Sequence, residues 1–199
     1  MKTTFQNDQA LKDFMVAETI KHREADELIK GTYGSEEDGK WRGCAVGCAI
    51  KSLNTKLGVD FSTSEHSVLE ENGLYPEWLA RLEDTIFENL PEPESQTWPE
   101  RFTKAIPVGV SFQDLEKVKW QFSAYLMKEN IERVLTLDID AKLKEQIIDA
   151  IRGVLALNEK AITTGEWDES AADAARSAAR SAAFVKHSNE LLRLLSEIK

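Results

Sequence analysis

Apolar positions recur every three to four residues along most of this chain, a spacing that predicts helices almost from end to end. Asn7 or Asp8 is placed to cap a first helix running to Gly31, with Leu11, Met15, His22, Ala25 and Ile29 along one stripe. The polar run Thr32–Lys40 reads as a loop. A helix starting at or just after Gly43 extends to about Leu53, and Thr63 or Ser64 caps a short helix through His66 that stops at Gly73.

Pro76 suits the first turn of the next helix, where its missing N–H costs nothing. Leu79, Leu82, Ile86 and Leu90 are its expected inner face. Pro99 is expected to open another short helix, which Pro107 and Gly109 end. Ser111 and Asp114 form a capping-box start for a helix over Phe112–Lys128, with a separate turn over Ile131–Leu135. Asp138 or Asp140 begins a helix to about Thr163, carrying Leu143, Ile147, Ile151 and Leu155 inward. From Glu169 to Ile198 there is no glycine or proline, and alanine pairs recur at 174/175, 178/179 and 182/183.

The one extended-looking stretch, Ala105–Phe112, contains Pro107 and Gly109, which favour a loop. The expected fold is therefore all-α: a helical core domain over 1–165, with an alanine-rich C-terminal helix over 166–199. That helix either packs on the core or forms a homo-oligomer interface closed by Leu191, Leu192, Leu194 and Leu195.

Length and composition narrow the class. The 199 residues, 42% of them hydrophobic, suffice for a packed interior. No stretch reaches the ~20 apolar residues of a membrane span, and the N-terminus lacks a secretory apolar run, so a cytoplasmic setting is expected. The net charge of −10 disfavours direct nucleic-acid binding. It also suits an acidic surface that binds and inhibits a basic host protein. No cofactor motif is present: neither a phosphate-binding Gly-x4-Gly-Lys-Ser/Thr loop nor Gly-x-Gly-x-x-Gly occurs.

Candidate chemistry gathers in Lys40–Ile50, which holds both cysteines, a tryptophan and two cations beside Gly43 and Gly47. Cys44 and Cys48 fall one turn apart with parallel side chains, a geometry that leaves them as reduced thiols. Lys40, Trp41, Arg42, Gly43, Cys44 and Gly47 offer charge, a stacking face and free helix N–H groups, suited to a small anionic or nucleotide-like ligand. An enzyme reading makes Cys44 a nucleophile and His22 or His66 its base, oriented by Asp26, Glu70 or Asp84. A metal reading joins Cys44, Cys48, His22 and His66 as a Cys2His2 set, with histidine spacing that is unfavourable. Against these stands plain packing: small residues make a thin helix that approaches helix one closely, His22 is a core histidine bonded to Glu18 or Asp26, and Glu83, Asp84 and Glu88 form a solvated flank.

Four elements together resemble a family of bacterial and phage helical proteins: His22 to Asp26, the Gly-Cys-Ala-Val-Gly-Cys box at Gly43 to Cys48, the stretch Pro76 to Glu88, and the Ala-Ala-x-Ser repeats at Ala171 to Ala183. The resemblance implies a bacterial or mobile-element origin and brings no activity with it. A ligand-binding protein of that origin would act on host signalling.

Overall fold

The computed structural model describes residues 1–37 and 39–172. Seven α-helices and one short hairpin make up its regular structure, so the chain is all-α as expected. They are α1 (Gln9–Glu24), β1 (Ser35–Glu37), β2 (Lys40–Arg42), α2 (Ala45–Leu57), α3 (Ser67–Glu71), α4 (Glu77–Asn89), α5 (Glu94–Ala105), α6 (Phe112–Thr136) and α7 (Ala141–Thr164). Backbone contacts divide the chain into two compact units after Leu115, well short of the boundary expected at 165. Most of the expected alanine helix, from 173 onward, lies outside the described residues, and its interface leucines with it.

In the first unit, Asp8 caps α1 by accepting the Ala10 N–H at 2.8 Å. Leu11, Met15, Thr19 and His22 form its buried stripe. The helix stops at Glu24 rather than Gly31. Asp26 takes a left-handed φ of 55°, while the Glu27 N–H bonds the His22 carbonyl and the Asp26 N–H bonds that of Arg23. This is a Schellman ending with aspartate where glycine is usual, so the sequence carries no glycine to mark it.

The segment after α1 runs extended beside the start of α2. Ile29 N–H bonds the Gly43 carbonyl at 3.0 Å, Gly43 N–H that of Glu27 at 2.9 Å, and Cys44 N–H that of Thr32 at 2.8 Å. Between these rungs, β1 and β2 pair antiparallel with Glu36 opposite Trp41, a hairpin within the stretch read as a loop. The lacing presses the Tyr33 carbonyl onto α2 at Gly47, where an added Cβ would meet the oxygen at 1.8 Å. Gly47 thus admits a backbone, as the small-residue pattern anticipated, and the visitor is the chain's own loop.

Helix α2 is buried from Ala45 to Ile50 and again from Ser52 to Asn54, and it packs against both α1 and α4. It continues past Leu53 to a left-handed Gly58 cap. On α4 the buried residues are Leu79, Ala80, Glu83 and Phe87; of the expected row Leu79 is buried and Leu82 half-buried against the core, while Ala80, Glu83 and Phe87 take the rest of the inner face. Helix α5 begins before Pro99 and includes it. The N-terminus closes this core: Phe5 to Asn7 hold left-handed backbone, with Phe5 N–H bonded to the Leu74 carbonyl and Gln6 N–H to that of Gly73. Such backbone costs about 1–2 kcal/mol per residue. Complete burial of the Phe5 ring against Tyr75 offsets it.

Ser111 caps α6 through the Asp114 N–H at 3.0 Å. From Glu116 onward lies the second unit, in which α6 runs unbroken to Thr136 through the Lys128–Asn130 stretch where a break was expected. Asp140 caps α7, and Gly165 ends it in a left-handed turn. Lys128 Nζ lies 3.3 Å from Glu159, joining the two helices. No helix among the described residues is long and apolar enough to cross a membrane.

Candidate functional site

Asp84 and Glu88 are one turn apart on α4, so their carboxylates leave the same face of the helix. That face meets the N-terminus of α2, where Cys44 is the cap residue, and the 31–33 loop laced beside it. The three elements enclose a cavity of about 240 Å³ lined by Gly31, Thr32, Tyr33, Cys44, Asp84 and Glu88. One donor atom from each of Cys44, Asp84 and Glu88 lies within 4.8 Å of the others.

Each of these three groups is oriented from behind. The Gly47 N–H donates to Cys44 Sγ at 3.4 Å. The Gly31 N–H reaches both oxygens of Glu88, at 3.0 and 3.1 Å. Asp84 Oδ2 sits 3.4 Å from His66 Nε2, and the buried His66 ring stands edge-on to Tyr33 at 5.4 Å between centroids. The other oxygen, Asp84 Oδ1, is shielded from solvent with no donor in hydrogen-bonding geometry on it. A buried acceptor left unmatched costs roughly 1–3 kcal/mol.

The cleft favours neutral acids and positive guests. Burial pushes the Cys44 thiol up, against the Gly47 N–H, and the Asp84 carboxylate adds to the rise. Tyr33 is raised by burial and by the charge of Asp84. One residue earlier on α4, Glu83 points into the core and is raised to about 8 by burial, although it accepts the Tyr75 hydroxyl at 2.8 Å. Burial therefore works against a thiolate at Cys44.

The residues singled out from sequence fall in three places. Cys44 and His66 reach the cleft, His66 through Asp84, which is one of the orienting carboxylates considered for it. Lys40 and Arg42 stand outside it, both paired with the exposed Asp26 at 3.4 and 3.2 Å. Trp41 is half-buried on the core, its ring centroid 5.7 Å from that of His22, with Lys51 Nζ over the indole 5.9 Å from its centroid. Gly43 is crowded by Trp41 and the Tyr33 carbonyl, and Gly47 by Tyr33, so chain rather than ligand fills the space beside both.

The Cys2His2 set is not assembled. Cys48 Sγ donates to the Gly43 carbonyl, and His22 bonds Glu27 through Nδ1 at 2.5 Å and Ser52 through Nε2 at 2.8 Å. Both cysteines are free, as expected. The order Ser52–His22–Glu27 has the polarity of a charge relay, but Ser52 is 1% exposed in the middle of α2, where backbone N–H groups are spent on the helix. With no access and no oxyanion donors, it ties α1 to α2 as a core network.

Glu88 was read from sequence only as part of a solvated flank, and Asp84 as that or as an orienting carboxylate; neither was expected to line the cavity. Their i, i+4 spacing was the available signal, obscured by grouping them with Glu83, whose own place on the Leu79–Glu83–Phe87 row marks it as buried. No family model, curated protein or solved structure matches this chain.

Proposed function

We propose that this chain is a small-ligand-binding protein, that its site is the cleft between the 31–33 loop, the start of α2 and α4, and that its ligand carries positive charge. The observation behind this reading is the convergence of Cys44, Asp84 and Glu88 on one cavity whose lining holds no lysine or arginine. Of the ligand-binding set expected over residues 40–48, this reading keeps Cys44, and the expected sign of the ligand reverses. Anions are disfavoured because Asp84 and Glu88 line the cavity, and because Lys40 and Arg42 are already matched by Asp26.

Thermal-shift screening tests the reading with divalent metal ions, agmatine, spermidine and, as the opposing class, nucleoside triphosphates. A ligand at a hundred times its Kd stabilises by ~2.7 kcal/mol. The expected result is a shift with a cation that Glu88→Gln and Asp84→Asn each diminish. A shift with a nucleotide alone, lost in Arg42→Glu, returns the site to β2.

A further inference from the structure

Resting on that reading of the cleft, we propose that its ligand is a thiophilic divalent cation of the zinc class, held by Cys44 Sγ, whose thiol proton is released to solvent as the metal–sulfur bond forms, and by one oxygen each of Asp84 and Glu88. Tetrahedral zinc with one sulfur and two oxygen ligands holds those donors roughly 3.6 Å apart. The three atoms already lie within 4.8 Å of one another, so side-chain rotations on the scale of an ångström close the set. Such a closure brings donors from α2 and α4 together without moving either helix.

The outer contacts are those a metal site uses. Ligating carboxylates and thiolates are held by hydrogen bonds from behind, which fix their direction. Here the Gly47 N–H holds the sulfur, the Gly31 N–H holds Glu88, and His66 holds Asp84 through Oδ2. Asp84 and Glu88 bring two carboxylates to a cavity whose lining holds no lysine or arginine to balance them, and a cation supplies that balance.

The donor chemistry chooses among cations. Carboxylates alone would suit magnesium or calcium, whereas a sulfur in the set selects zinc and its thiophilic neighbours. Three protein donors also leave a fourth position facing the cavity. That is the pattern of zinc sites that admit water or a small molecule, not of closed four-ligand structural sites.

The test is titration of the metal-free full chain with Co2+, followed by competition with Zn2+, and with Mg2+ as the oxygen-preferring control. The expected result is one equivalent bound with a near-ultraviolet sulfur-to-cobalt band, displaced by Zn2+ and not by Mg2+. Cys44→Ser removes the band, Cys48→Ser keeps it, and Asp84→Asn or Glu88→Gln weakens binding by about tenfold or more. If Cys44→Ser does not fold, the band in the native chain together with its persistence in Cys48→Ser decides, since oxygen donors give no such band. Agmatine binding that depends on Asp84, without Co2+ or Zn2+ binding, overturns the metal and leaves the cleft reading standing. Metal bound without the sulfur band overturns the thiolate site. Absence of binding by every cation overturns both.

Discussion

Two buried histidines in the first unit both lean on carboxylates, and they lead to opposite conclusions. His22 is matched at both ring nitrogens, by Glu27 and Ser52, and Ser52 is in turn within 3.4 Å of Glu18. His66 is matched to Asp84, a residue that lines a cavity and whose second oxygen accepts no hydrogen bond. The first arrangement is closed: burial has been compensated inside the protein, and nothing is left to recruit a ligand. The second is open. The difference shows that a buried titratable group marks a site through what it leaves unmatched rather than through its identity.

Glu83 belongs to the closed interior but is compensated by a single hydroxyl, and it gives the largest expected effect. Its folded-state value of about 8 lies above the ordinary 4.5, so the folded protein holds this proton more tightly than the unfolded chain. Its contribution to stability is fully present below about pH 4.5 and declines by about 1.4 kcal/mol per pH unit until pH passes about 8. Glu83→Gln keeps an acceptor for Tyr75 and removes the titration. Urea unfolding between pH 5 and 8 is expected to show a stability advantage for the variant that grows by several kcal/mol over that range. Parallel pH profiles for the two proteins would place Glu83 in contact with water or a cation.

Replacing each histidine by leucine, close to it in volume, tests the comparison directly. His22→Leu strands Glu27 and Ser52 together and is expected to cost about 3 kcal/mol. His66→Leu removes one long contact, 3.4 Å, to Asp84, at about 1 kcal/mol. Cation affinity should respond the other way, falling in His66→Leu and unchanged in His22→Leu. Equal losses of stability, with equal affinities, would erase the distinction between closed and open.

How far the sequence disclosed this follows from the same contrast. Local residue types exposed the cap at Ser111 and narrowed two others to pairs that include Asp8 and Asp140, because each cap depends on a side chain beside the helix start. The end of α1 was hidden because Asp26 does the work of a glycine, and the hairpin because three-residue strands are too short to show alternation. Gly47 was legible as a close approach, since only a small residue permits one. Whether a loop or a ligand made that approach depended on hydrogen bonds between Thr32 and Cys44 that no spacing encodes. The cleft itself joins residues 31–33, 44 and 84–88, and only tertiary packing brings those together.

The two thiols give a smaller contrast. Burial raises both, so at pH 8 iodoacetamide should label the folded chain at least about tenfold more slowly than a free thiol. Cys44 lines the cavity whereas Cys48 is shut behind the Gly43 carbonyl, so labelling should reach Cys44 first, and Zn2+ should slow it there alone. Equal rates at the two positions, read by mass spectrometry of the peptides, would place Cys44 behind a closed wall and the cavity out of its reach.

The smallest effect is expected at the β2 cations, where exposure rather than compensation makes the residues quiet. Asp26 is 80% exposed at its side chain, and Lys40 and Arg42 hold its carboxyl below the usual range, Lys40 foremost. Ion pairs this open to solvent contribute little to folding because water screens them. Asparagine tolerates the left-handed backbone at position 26, so Asp26→Asn removes the charge while leaving the end of α1 intact. The melting temperature is expected to stay within experimental error of the native value, and cation binding at the cleft to be unchanged. The same variant frees Lys40 and Arg42 for an anion. If nucleotide binding belonged to β2, losing the internal competitor would strengthen it, and calorimetry with a nucleoside triphosphate would register the gain. No gain is expected, because the backbone beside Gly43 and Gly47 is already covered by Trp41 and the Tyr33 carbonyl, leaving an anion the two cations alone.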